Sequence, residues 1–92
     1  MTVNHDPGHS RFEIRKDGAT AVAEYQLSGD TLILTHTEVP PEHRGQGIAN
    51  QLARAAFEFA RARHLRVRPR CPFMASWLRR HPEYEDLRAG GD

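Results

Sequence analysis

Two glycines with one residue between them, an arginine before and apolar, helix-spaced residues after make Arg44-Gly45-Gln46-Gly47-Ile48-Ala49 the stretch of this chain best suited to hold an anion. Val39-Pro40-Pro41 precedes it, so the loop joins the end of a strand, which proline terminates, to the start of a helix. The first turn of a helix leaves backbone N–H groups without intrahelical partners and carries partial positive charge; a phosphate placed there satisfies both. Gly45 and Gly47 allow close approach of the backbone and positive φ where it is needed, and Arg44 can add a charge-assisted contact. The bland alternative is a glycine-rich turn that merely starts a helix. The spacing is neither Gly-x-Gly-x-x-Gly nor a loop ending in Gly-Lys-Ser/Thr, so it fits neither a dinucleotide-binding fold nor a P-loop nucleotidase.

Cys71 and His36 are the next candidates. Cys71 stands between Arg70 and Pro72, and Pro72 suits the first position of a short helix reaching about Arg80. A thiol at a helix N-terminus has its thiolate stabilised by the dipole, to which Arg70 adds positive charge. Otherwise Cys71 is an inert small hydrophobe. His36 lies in a strand and can act as base or acid, or be structural. Alternation of period two groups it with Leu32, Leu34 and Glu38. His43 reads as an exposed loop residue. Arg61, Arg63, Arg66, Arg68 and Arg70 form a basic stretch, with Arg66, Arg68 and Arg70 on one strand face. They read as a solvated edge or as a contact for a phosphate or an acidic acceptor.

The elements that must position these groups follow from periodicity and punctuation. Arg11 to Arg15 alternates polar and apolar, Asp17-Gly18 signals a hairpin, and Ala19 to Leu27 alternates again. After the turn at Ser28-Gly29-Asp30, Thr31 to Val39 is the best strand, so the three segments predict an antiparallel meander. A helix is expected from Gly47 to Arg63, with Ile48, Leu52, Ala55, Ala56, Phe59 and Ala62 as its apolar stripe. Phe57 falls off that stripe and must be exposed or meet another element. Leu65 to Arg68 reads as a fourth strand, parallel to the third across the helix, closed by Pro69. Phe73 and Trp77, four apart, read as core contacts of the short C-terminal helix. The order is β-β-β-α-β-α, an α+β (mixed α/β) layer fold. Residues 1–10 are expected to be a flexible tail, 11–88 a single domain, and 89–92 a C-terminal tail, with fraying from about residue 81.

Composition narrows the class. The chain of 92 residues makes one domain with a thin core. Residues 1–43 hold three Lys/Arg and seven Asp/Glu, a balance of −4, and residues 44–92 hold ten Arg and five Asp/Glu, a balance of +5. A basic second half suits an anionic ligand. Nucleic acid is disfavoured, because the arginine-rich stretch has no interleaved aromatic residue. No apolar run is long enough for a membrane helix, and no secretory signal is recognisable at the N-terminus. The single cysteine has no partner for an internal disulfide, which suits the cytoplasm. One Cys and six scattered His give no zinc spacing, so no metal is expected.

Arg44-x-x-Gly47-x-Ala49 directly after a strand ending Val39-Pro40 resembles the acetyl-CoA motif of the GCN5-related N-acetyltransferase (GNAT) family. Arg11-Phe12-Glu13, His36-Thr37-Glu38-Val39-Pro40, Pro69-x-Cys71 and His81-Pro82-Glu83-Tyr84 extend the likeness, in order, to the small single-domain GNAT-like group, over about residues 11 to 88. The resemblance implies a minimal GNAT fold and acetyl transfer from acetyl-CoA to an amine, on a small molecule or a protein lysine. It implies that the N–H groups of Gly45, Gln46, Gly47, Ile48 and Ala49, with Arg44, take the pyrophosphate. Backbone of Thr37, Glu38 and Val39 would pair with the pantetheine arm, lying in a splay between two parallel strands. Cys71 and His36 would then flank the arriving thioester. Either Cys71 accepts the acetyl group first, or the amine attacks directly and His36 or Glu38 takes the proton. The chain lacks the N-terminal helices that shape the acceptor site in larger relatives, so a non-catalytic acyl-CoA-binding or sensing domain is the alternative. A monomer or weak dimer is expected.

Overall fold

Tight turns decide the sheet. Asp17 and Gly18 both take positive φ, 52° and 79°, as a two-residue hairpin of type I′ requires. They join β2 (Arg11–Lys16) to β3 (Ala19–Ser28); the turn at Gly29-Asp30 joins β3 to β4 (Thr31–Glu38). In this computed structural model, which describes residues 2–90, a short strand β1 (Asn4–Asp6) precedes them. After helix α1 (Ile48–Ala62) come β5 (Arg66–Pro69) and helix α2 (Pro72–Arg80). The sheet order is β1-β2-β3-β4-β5, antiparallel throughout except for the parallel pair β4 and β5.

One face of the sheet carries the core. Phe12, Ile14, Ala23, Tyr25, Leu34 and Val67 are buried there together with residues of both helices. The other face presents Arg15, Gln26, His36 and Glu38 in exposed positions. Helix α1 buries more than one stripe: Ile48, Leu52, Ala53, Ala56, Phe57 and Ala60 are all inaccessible. Ala55 and Phe59 are only half-buried and Ala62 is exposed, so the expected stripe is corrected. The reason is α2, which docks on α1 and widens the buried arc. Phe57 stacks on Trp77 at 5.1 Å between ring centroids and meets Tyr84 at 5.7 Å. α1 ends in a Schellman arrangement, Leu65 N–H to Ala60 O at 2.8 Å, with His64 at φ 58° where glycine is usual.

Both termini are more ordered than their composition suggests. Residues 4–6, expected in a flexible tail, pair with β2, and His5 stacks on Phe12 at 4.3 Å and bonds the Tyr25 hydroxyl at 2.7 Å. Residues 82–87, expected to fray, form a 3₁₀ segment, Pro82–Leu87, that buries Tyr84 and Leu87. Arg61 clamps it through both carboxylate oxygens of Asp86, at 2.9 and 3.1 Å. Ala89 N–H then bonds Val67 O at 2.8 Å, covering the outer edge of β5. Met1, Gly91 and Asp92, the ends of the two expected tails, lie outside the described residues.

Strand β4 carries the irregularity that matters for function. Tyr25 pairs with Leu34, but Glu24 pairs with His36, so Thr35 is an extra residue, a β-bulge. A bulge reverses the alternation beyond it. His36 and Glu38 therefore do not share a face with Leu32 and Leu34; Thr37, opposite Ala23, does.

Candidate functional site

The loop after β4 is built from its prolines and glycines. Pro40 and Pro41 start a 3₁₀ turn, Pro41–His43, in which His43 N–H bonds Pro40 O at 2.9 Å and Arg44 N–H bonds Pro41 O at 3.3 Å. Gly45 and Gly47 then take φ of 82° and 77°, and Gly47 caps α1 in the left-handed conformation. No side chain among the described residues caps the helix. Among the described residues no protein group accepts from the N–H groups of Gly45, Gln46, Gly47, Ile48 or Ala49. Five consecutive amides at a positive helix end make a nest for an anion.

A cavity of about 140 Å³ opens over these amides. Of the expected cofactor residues, Val39, Arg44, Gly45, Gly47, Ile48 and Ala49 line it. Gln46 does not; its side chain accepts from Lys16 Nζ. Thr37 and Glu38 lie on the strand that runs up to the cavity. Two wider clefts, of about 410 Å³ beside Arg61 and Arg66 and about 580 Å³ beside Asn4 and Glu13, offer no comparable row of amides. Arg61 lies thirteen residues along α1 from Ile48, ~20 Å from the nest at ~1.5 Å per residue. Arg66 donates to Asp86 O at 2.7 Å. Neither reaches the loop, so these two arginines clamp the C-terminal segment.

His43 and Asn50 also line the cavity, and neither was expected there. His43 is not an exposed loop residue: it is 5% exposed, and its Nε2–H donates to Lys16 O at 2.8 Å. That bond ties the loop to the β2–β3 hairpin. The partner is a carbonyl 27 residues away, which no local sequence signal marks. Replacing His43 by alanine is expected to cost about 1–3 kcal/mol, by removing a buried, bonded group. Urea unfolding of the two proteins measures it.

Cys71 sits where β5 leaves β4. The N–H groups of Arg70 and Cys71 both bond Leu34 O at 3.0 Å, and pairing between the strands ends at Leu34–Pro69. Beyond that point the two strands part, at the end of β4 that leads into the loop. Cys71 is the N-cap of α2 and is 6% exposed, and its thiol donates to Thr37 Oγ1 at 3.5 Å. His36 lies on the opposite, open face, exposed, with Nε2 3.2 Å from Glu38 Oε1. The structure thus joins Cys71 to Thr37 and His36 to Glu38; Cys71 and His36 do not meet. The Thr35 bulge separates them, and nothing in the residue types of β4 announces it.

Comparison with known proteins agrees with this fold. The family model for GCN5-related N-acetyl-transferase matches residues 11–87. Protein NATD1 of Bos taurus is 36% identical over 85 residues, covering 89% of this chain and 75% of the relative. Protein NATD1 of Danio rerio is 36% identical over 89 residues, covering 91% and 81%. The solution structure of a GCN5-like protein from Staphylococcus aureus superposes with a TM-score of 0.77 at 26% identity, over 99% of this chain and 90% of that one.

Proposed function

Because the chain belongs to the GCN5-related N-acetyltransferase family, we propose that it transfers an acetyl group from acetyl-CoA to an amine by direct attack within a ternary complex. One observation carries this reading: the unclaimed amides of Gly45 to Ala49 and the parting of β4 from β5 beyond Leu34 lie at the same end of the sheet. The amides and Arg44 hold the diphosphate. Backbone of Thr37, Glu38 and Val39 lies along the parted strand edge, where it pairs with the amides of the pantetheine arm. Acetyl-CoA supplies an acyl carbon already activated as a thioester; as the amine nitrogen bonds to that carbon the C–S bond breaks and CoA leaves as its thiolate, so the chain has to bind, orient and accept one proton.

The amine approaches from the open face of the sheet, where His36 and Glu38 stand exposed. His36 Nδ1 takes the proton that the amine loses as its nitrogen becomes an amide, while Nε2–H donates to Glu38 Oε1, which steadies the imidazolium. Direct attack is favoured over an acetyl-Cys71 intermediate because the thiol is bonded to a hydroxyl and, among the described residues, has no base within hydrogen-bonding distance. In this reading Cys71 and Thr37 wall the acyl group, and the cytoplasm is the proposed location.

Intact-mass spectrometry after incubation with acetyl-CoA, and turnover of Cys71→Ala and His36→Ala with a panel of primary amines, test the proposal. Cys71→Ala should keep its turnover, the wild type should carry no acetyl group on Cys71, and His36→Ala should lose about 10²-fold in kcat. An acetylated Cys71 together with an inactive Cys71→Ala would establish the covalent route instead. CoA binding with no amine acetylated would favour a binding or sensing domain, a reading that the uncovered sheet face supports.

A further inference from the structure

Asn50 occupies the third position of α1. Side chains there point back over the mouth of the helix, because each Cα–Cβ bond tilts toward the N-terminus. A Glu or Gln at this position commonly turns back onto the N-cap amide. Asn50 does not: its Oδ1 accepts from Trp77 Nε1 at 2.7 Å. The indole is held in place, stacked 3.7 Å from the His81 ring and 5.1 Å from Phe57. His81 Nδ1–H in turn donates to the Trp77 carbonyl at 2.7 Å.

The indole is a donor only, so the bond assigns the amide: the oxygen faces Trp77 and the NH₂ group is the other end. No protein acceptor takes those two N–H bonds among the described residues, and Asn50 lines the glycine-loop cavity. We propose that Asn50 donates through Nδ2 to a phosphate oxygen of the cofactor, and that Trp77 is the positioning residue that keeps the Asn50 oxygen off the loop amides the phosphates require. This rests on the reading of the loop as the diphosphate site. It accounts for the Asn50 oxygen facing the indole and not the loop amides.

The chain has one tryptophan, so ¹⁵N-labelled protein gives a single indole N–H resonance that reports on this bond. Titration with CoA should shift that resonance in the wild type. Asn50→Asp keeps an acceptor for the indole but replaces two donors by a carboxylate; it should weaken CoA binding about 10- to 100-fold, as calorimetry reads it. Asn50→Ala, which adds no charge, should weaken it about 3- to 10-fold and shift the indole resonance before any ligand is added. Wild-type affinity in both variants overturns the proposal, as does an indole resonance unmoved at saturating CoA. Failure of the wild type itself to bind CoA removes the diphosphate reading first, and this proposal with it.

Discussion

Gly47→Glu is expected to lose at least ~100-fold in CoA affinity while remaining folded. Three terms decide this. Gly47 has φ 77°, and a residue with a Cβ in that region costs about 1–2 kcal/mol. A Cβ built there meets nothing within 4 Å, so no clash adds to the strain. The new carboxylate lies at the N-terminus of α1, where it gains about 0.3–1 kcal/mol from the dipole. Folding stability therefore changes by only about 1 kcal/mol. Binding behaves differently, because the carboxylate competes with the diphosphate for the same amides and repels it. Two like charges ~4 Å apart at an effective dielectric of ~20 interact by about 4 kcal/mol, close to a thousandfold. Salt and side-chain movement reduce that, which leaves the hundredfold floor. Gly47→Ala carries the same backbone strain without the charge, so it should bind within about tenfold of the wild type. Calorimetric titration of both variants with CoA separates strain from charge. A Gly47→Glu protein that is folded and binds within threefold of the wild type would end the assignment of this loop.

The loop was legible because its signals are local. Two prolines stop a strand, two glycines permit positive φ, and an apolar pattern of helical period begins at once; each acts through the conformation of its own residue. The hairpin at Asp17-Gly18 was legible for the same reason. The bulge at Thr35 was not: it inserts one residue without glycine or proline, and its effect is felt only in the register of β3 against β4. Counting by twos through it groups His36 with Leu32 and Leu34, and the bulge puts it on the opposite face. His43 failed similarly, since its burial depends on a carbonyl across the hairpin. β1 was missed because Asn4-His5-Asp6 is polar. It is held by backbone pairing with β2 and by one histidine ring among Phe12, Tyr25 and Phe59.

Phe57 shows the limit of periodicity most sharply, and it carries the other large effect. Six residues at helical spacing define one stripe, and Phe57 lies off it, which by itself allows exposure or burial. The structure leaves it fully inaccessible, against Trp77 and Tyr84, so α1 presents one side to the sheet and another to α2 and the C-terminal segment. Phe57→Ala should then behave as a core truncation and cost about 3–5 kcal/mol. A small domain has a total stability of about 5–15 kcal/mol, and each kilocalorie moves its Tm by about 4–8 °C. The expected drop in Tm is therefore about 12–40 °C. Phe59, inside the expected stripe, is half-buried at the edge of the sheet, and Phe59→Ala should cost less than half as much. The order of the two is the test, read by urea unfolding and calorimetry. A Phe59→Ala protein less stable than Phe57→Ala would mean that α2 adds little to the core. The effect also reaches the cofactor site. Trp77 stacks on Phe57 and holds Asn50, so removing the ring frees the indole whose N–H keeps the Asn50 oxygen away from the nest. Phe57→Ala should thus bind CoA more weakly even at temperatures where it is folded, a coupling between core and ligand that Phe59→Ala does not share.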